Sequence, residues 1–392
     1  MRIREMTKAT SKTFRFTKIY LENWTNFARI DAGLQRRVFL IGPNASGKSN
    51  LLDVFRFLHN IVAVGGGFQN AVQIKRGGVS SLRCLAARRY SDIVVMIHIG
   101  NDEIPSAWEY ELHFNQDNLR RPIIKKERVA KEGSDILIRP DKEDEKDSKR
   151  LTQTYLEQVY ANRNFRDVAD FFSSVRYLHI VPQLVREPDR SVGRTNDPYG
   201  GDFLEQIAST PPRTHRSRLR RIRDALRVAV PQLQDLELWR DARGTPHLRG
   251  KYDHWRPRGA WQNEEQFSDG TLRLMGLLWA VLEGTGPLLL EEPELSLHPE
   301  VIRFIPQMFA RVQRRFGRQV LISTHSTDLL QDDGIALDEV LLLRPGIEGT
   351  SVSVAKDLRA VEELLEGGLS LADAVMPLTR PEYVHQLTLF AD

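Results

Sequence analysis

A single cysteine, Cys84, stands in the 392 residues. That scarcity excludes an internal disulfide framework or a thiolate zinc cluster and fits a reducing compartment. Cys84 itself reads as a small core hydrophobe. Long apolar runs are also missing: the nearest approach is Leu274–Leu282, well short of the ~18 residues a membrane span needs. The basic start of the chain, residues 1–17, has no apolar core of a secretory leader. A soluble, cytoplasmic protein with no membrane partner is expected. Sustained heptads are absent from residues 101–261, which argues against an extended coiled coil there, and no internal repeat is present. Excess charge of one sign is small, since 56 Lys and Arg against 52 Asp and Glu leave +4. The total implies no polyanionic partner, but arginines are bunched locally, so a local anionic partner is expected. At 41% hydrophobic content the chain can bury a substantial core, and its length suggests two or three lobes.

What is present is organised around Gly42-Pro43-Asn44-Ala45-Ser46-Gly47-Lys48-Ser49, followed by Asn50. The apolar run Val38–Ile41 precedes it, and Leu51–Leu58 follows with apolar positions at helical spacing. Strand, glycine loop and helix together make a phosphate site: the glycines let successive amides turn inward, and the helix start adds its positive dipole end. A triphosphate fits, with Lys48 reaching the β- and γ-phosphates and the Ser49 hydroxyl taking a place on Mg²⁺.

Three later segments have matching character. Ser268-Asp269-Gly270 opens an apolar helix, with Ser268 a good N-cap and Gly270 leaving the helix start open to close approach. Leu288-Leu289-Leu290-Glu291-Glu292 reads as a buried strand ending in paired carboxylates, as metal-assisted hydrolysis needs: one acid for the Mg²⁺ shell, one to orient water. Val320–Thr324 reads as another buried strand, with His325 at its carboxyl end, where clefts open in α/β sheets.

Ahead of the glycine loop, Phe14–Leu21 and Ala28–Ile30 read as strands leading into it, with Trp24 and Phe27 packed beneath it. Between the halves, Val94–Ile99 and Trp108–Phe114 read as an antiparallel meander, in which His98 and His113 are packed or hydrogen-bonded. Asp141–Arg150 carries mixed charge without an apolar anchor and reads as a solvated connector, and Leu151–Phe172 reads as helical. Arg213–Val230 reads as a helix with Leu219, Ile222, Leu226 and Val230 on one stripe and many arginines elsewhere. Arg216, Arg218, Arg220, Arg221 and Arg223 are its candidate contacts to a nucleic-acid backbone, weighed against an ordinary solvated face.

The ordered series resembles the ATP-binding-cassette ATPases, in the branch of the RecF and SMC heads, the double-strand-break repair ATPases and the OLD-like ATPases. GPNASGKSN looks like its Walker A, FSDGTLR its signature, LLLEEPELSLHP its Walker B with D-loop, and STHS its switch histidine. The resemblance covers residues 14–100 and 262–345. It implies an α/β P-loop NTPase head, a mixed sheet with an antiparallel β subdomain and an α-rich insert. The implied division is an N-lobe over 1–100, an insert over 101–261, a C-lobe over 262–345 and a helical tail over 346–392. It further implies that Lys48 and Ser49 bind phosphate and Mg²⁺, Glu291 is the Walker B acid, Glu292 the catalytic base, and His325 a γ-phosphate contact. Ser268 and Gly270 would address the ATP of another subunit, giving an ATP-sandwiched homodimer. Glu291 stands where aspartate is commoner and keeps the charge; Asp269 replaces the central signature glycine and adds one. Gln73, with Gln183 behind it, is the candidate Q-loop residue.

The expected function is therefore an ATP- and Mg²⁺-dependent ATPase that dimerises on ATP and senses or clamps nucleic acid, in DNA repair or anti-phage defence. The alternative is an ATP-gated scaffold that holds and releases a separate effector protein without binding DNA. No intrinsic nuclease is expected, because the stretch after Arg344 is short for a nuclease domain of about a hundred residues. The size of the insert argues against a transporter subunit.

Overall fold

In the computed structural model, residues 13–86, 91–190, 197, 199–255 and 260–380 are described. The basic start and the end of the expected helical tail, 1–12 and 381–392, lie outside them. The chain divides into two compact units, the first comprising 1–176, 285–289 and 306–392, the second 177–284 and 290–305.

The strands are β1 Arg15–Trp24, β2 Phe27–Gly33, β3 Arg37–Ile41, β4 Ile93–Gly100, β5 Trp108–Gln116, β6 Pro122–Lys131, β7 Ser134–Arg139, β8 Arg176–Leu178, β9 Leu233–Arg240, β10 Pro246–Tyr252, β11 Ala260–Asn263, β12 Leu288–Glu291, β13 Val320–Thr324, β14 Val340–Arg344 and β15 Ser351–Val354. They form a mixed sheet ordered β15-β14-β3-β13-β12-β8, an antiparallel sheet ordered β2-β1-β4-β5-β6-β7, and a small sheet ordered β11-β10-β9. In the mixed sheet β3 pairs parallel with both β13 and β14. These strands are almost wholly buried, which is why their sequences run apolar without alternating. The α/β P-loop class expected from the sequence is the class observed.

Within the first unit the loop helix, Lys48–Val62, buries residues on more than one side, among them Leu51, Leu52, Val54, Phe55, Phe57, Leu58 and Ile61. Phe55 meets Phe16 of β1 with ring centres 4.5 Å apart, and Phe57 meets Trp24 at 5.3 Å and Phe114 at 5.7 Å. Each such buried ring contributes about 1.5–3 kcal/mol, so the antiparallel sheet fixes the helix that carries the loop.

Two expectations are corrected here. Asp141–Arg150 is largely exposed but is not an unanchored connector: Lys142–Lys146 is a helix capped by Asp141, and Asp144 is 1% exposed. The fully buried Arg139 donates to Asp144 at 2.8 and 2.9 Å and to Glu127 at 2.9 Å, with Tyr155 stacked 3.8 Å from its guanidinium. Burial pushes the Asp144 carboxyl up, but hydrogen bonds from Arg139 and the Asp141 amide outweigh it and hold the group well below the usual range. Leu151–Phe172 is not one helix either; only Arg166–Ser173 is α-helical. Glu127 accepts the amides of Tyr155 at 2.8 Å and Leu156 at 3.1 Å, which takes those donors out of any helical ladder.

In the second unit the arginine helix runs Pro212–Ala229, opens with a proline in its first turn and buries Leu219, Ile222 and Leu226. It packs against β9 and against the helix Asp269–Leu282.

Candidate functional site: the glycine loop, the signature helix and the strand-end acids

Leaving buried β3, the chain turns at Gly42, where a Cβ would come within 2.5 Å of Ser46 Oγ and 2.7 Å of the Leu343 carbonyl. Ala45 at φ +62° and Gly47 at φ +92° adopt left-handed backbone, the conformation that turns neighbouring amides to one side. The loop helix then starts with no side-chain cap and no acid in its first turn, so its positive end is left for an external anion. Lys48, 6% exposed, donates from Nζ to the carbonyls of Gly42 at 2.8 Å and Pro43 at 3.1 Å, which lays the ammonium over the loop. Ser46 Oγ is buried without a hydrogen-bond partner inside the same turn. Asn44, Ala45 and Ser49 are exposed. The β1–β2 hairpin braces the loop from below: Asn26 donates to the Ala45 carbonyl at 3.2 Å and accepts from the Asn50 amide, and the Trp24 indole donates to the Asn50 carbonyl at 3.0 Å. A Cβ on Gly47 would strike the Phe27 ring at 2.9 Å, so Phe27 packs beneath the loop, while Trp24 packs against Phe57 of the helix that follows it.

The register of β13 on β3 sets Thr324 opposite Ile41. His325 and Gly42 are the next residues of each strand, so both leave adjacent parallel strands at the same level. The His325 side chain is exposed there.

In the second unit Ser268 caps Asp269–Leu282, its hydroxyl accepting from the Thr271 amide at 3.2 Å, and it remains exposed. The close approach at Gly270 is made by the chain itself, since a Cβ there would lie 2.4 Å from the Ser296 carbonyl. Asp269 does not stand as an added bare charge: Arg186 donates to it at 2.5 Å and to the Phe267 carbonyl at 2.7 Å. Burial holds the Arg273 guanidinium below its ordinary pKa, against the opposing pull of Asp269 and Glu292.

The Tyr177 hydroxyl donates to the Glu291 carboxylate, and His179 Nδ1 lies 3.3 Å from the Glu291 carbonyl. Glu292 sits at φ +44°, a left-handed position that costs a non-glycine residue about 1–3 kcal/mol and recurs at working sites. Tyr177, His179 and Arg186 were not singled out from the sequence. Alternation along Tyr177-Leu178-His179 puts the first and third on one face, which is the signal that could have found two of them.

Ser49 and Glu291 each carry a hard oxygen of the kind Mg²⁺ takes, and no group of three or more His, Cys, Asp or Glu forms a dedicated cage among the described residues. Gln73 donates to the Arg120 carbonyl at 3.2 Å and Gln183 is exposed on a short helix. Of the nucleic-acid candidates, Arg216, Arg220 and Arg221 are exposed, as are Arg213 and Arg227. Arg218 instead covers the Trp279 ring at 5.0 Å, and Arg223 is committed to Asp224 at 2.7 Å and Asp235 at 3.5 Å. No described helix is long and apolar enough to cross a membrane.

Two crystal structures share the fold. One is an Smc head bound to the C-terminal winged-helix domain of ScpA, 10% identical, with TM-score 0.53, covering 86% of this chain and 96% of that one. The other is the Pyrococcus furiosus Smc head with an extended coiled coil bound to the C-terminal domain of ScpA, 10% identical, TM-score 0.52, covering 90% and 100%. No curated protein matches the chain. Residues 37–331 match the family described as "AAA domain, putative AbiEii toxin, Type IV TA system". That span takes in the glycine loop, the helix that opens at Ser268, the paired acids and His325, and the chain belongs to this AAA-domain family.

Proposed function

We propose that the chain is an ATP-hydrolysing head that closes on a second copy of itself and couples that closure to nucleic acid. The observation that carries the reading is the left-handed turn of Gly42–Ser49 beside the strand-end His325, which gathers amides, one ammonium and one imidazole at one end of the mixed sheet. In this reading Lys48 binds the β- and γ-phosphates, and Ser49 and Glu291 hold Mg²⁺, which when bound neutralises phosphate charge. Tyr177 fixes the Glu291 carboxylate by its hydrogen bond. Glu292 accepts a proton of the attacking water and orients it, and His325 contacts the γ-phosphate. The exposed Ser268 hydroxyl, with Gly270 beside it, completes the site of the neighbouring copy. Arg216, Arg220 and Arg221 supply the phosphate-backbone contacts. The family's description, which names a toxin of a type IV toxin–antitoxin system, favours defence over repair as the setting. No nuclease activity of its own is part of the proposal.

Gel filtration of Glu292→Gln with and without ATP tests the closure. An ATP-dependent dimer is expected, and a variant that stays monomeric at saturating ATP overturns it. Duplex-DNA binding followed by anisotropy across a salt series tests the coupling, with Arg216, Arg220 and Arg221 changed to Glu. Unchanged binding by that variant removes the nucleic-acid half and leaves an ATP-gated scaffold for an effector protein.

A further inference from the structure

The small sheet of the second unit has two unlike faces. Along β10, Pro246, Leu248 and Gly250 are buried, while His247, Arg249 and Lys251 point the other way and are half-exposed. Register puts Trp239 of β9 opposite His247 and Trp261 of β11 opposite Lys251, so both indoles stand on that outer face. Trp239 is 38% and Trp261 42% exposed. Arg249 lies between them, its guanidinium 5.4 Å from the Trp239 ring centre and 4.7 Å from the Trp261 ring centre. Glu237, directly across from Arg249, accepts from its Nε at 2.6 Å and holds the group in that position. With β10 between them, β9 and β11 are about 10 Å apart, so the face offers indole, guanidinium, indole in a row.

Single exposed aromatics are ordinary, but two half-exposed indoles gathered on one face of a three-stranded sheet form a patch of the kind that marks a binding surface. We propose that this face is a stacking platform for the unpaired bases of a single-stranded nucleic acid. The inference rests on the nucleic-acid reading above and deepens it by naming the form of the ligand. Indole faces and an arginine plane accept bases whose own faces are free, which a duplex does not offer. The charge on the unit suits the same ligand. The acids of the face are matched internally, Glu237 by Arg249 and Asp235 by Arg223, while the arginine helix packed along the edge strand β9 leaves Arg213, Arg216, Arg220 and Arg227 exposed for phosphates. Those four fall on one stripe, three, four and seven residues apart, along about 21 Å of helix.

The full chain is titrated with fluorescein-labelled oligo-dT and with a duplex of the same length, and anisotropy is read for the wild type, Trp239→Ala/Trp261→Ala and Trp239→Phe/Trp261→Phe. The alanine pair is expected to weaken oligo-dT binding by about tenfold or more, because base–aromatic stacking is a per-base contribution of that order, and to leave duplex binding within about twofold. The phenylalanine pair retains most of the oligo-dT affinity. Independently, oligo-dT quenches the tryptophan fluorescence of the wild type. An alanine pair that binds oligo-dT like the wild type, or that loses both probes equally, overturns the platform, as does an absence of quenching at saturating oligo-dT. If duplex binding is intact and sensitive to the arginine changes, the broader reading survives that failure. A wild type that binds neither probe overturns both.

Discussion

The glycine loop and the Ser268 helix are the two helix starts that the proposed function gives to phosphate, and they are built by different means. The loop is a local object. Eight consecutive residues supply its turn, its amides and its ammonium, the left-handed Ala45 and Gly47 set its path, and the side chains that brace it come from one neighbouring hairpin, Trp24–Phe27. The signature helix and the neighbouring acids depend on side chains far away in sequence: Arg186 answers Asp269, and Tyr177 holds Glu291. A contiguous site is legible from its motif, whereas a site assembled from distant side chains needs the fold to reveal its supports.

Single substitutions sharpen that contrast. Lys48→Ala removes the only ammonium of the turn and is expected to abolish ATP binding, about a hundredfold or more by calorimetry, without a large change in melting temperature. Arg186→Ala acts one step removed. It releases the Asp269 carboxylate at the helix start and is expected to lower ATPase turnover about tenfold, with nucleotide binding to the loop unchanged. Equal losses of binding in the two variants would erase the distinction between them.

The smallest expected effect concerns the far end of the loop helix, where Glu157 accepts the Phe68 amide after the glycine break at 65–67. Burial pushes the Glu157 carboxyl up from 4.5 to about 7. The folded state therefore binds more protons than the unfolded one between those values, so this contribution is full below pH 4.5 and is lost as pH rises toward 7. Glu157→Gln is expected to melt about 2–4 °C above the wild type at pH 8 and close to it at pH 4.5. Thermal melts at the two pH values check it, and parallel shifts at both would contradict the assignment.

Much of the fold was legible because buried strands and the loop helix announce themselves by unbroken apolar runs. The charged stretch around Asp144 was not, since its burial depends on Arg139 and Glu127 of a separate hairpin. The apolar stripe over Leu151–Phe172 suggested a helix because periodicity counts side chains and is blind to amides claimed by a buried carboxylate. The arginine helix was placed correctly, but which arginines face water was settled by Trp279 and Asp235, neither of which lies within it.

The pairing of Ile41 with Thr324 carries one more consequence. The span of β13 acts as a ruler: inserting a single residue between Val320 and Thr324 would swing the imidazole to the opposite side of the sheet, away from the turn it accompanies. Added length in an exposed surface loop costs little closure entropy, but the count of residues in these two strands cannot drift.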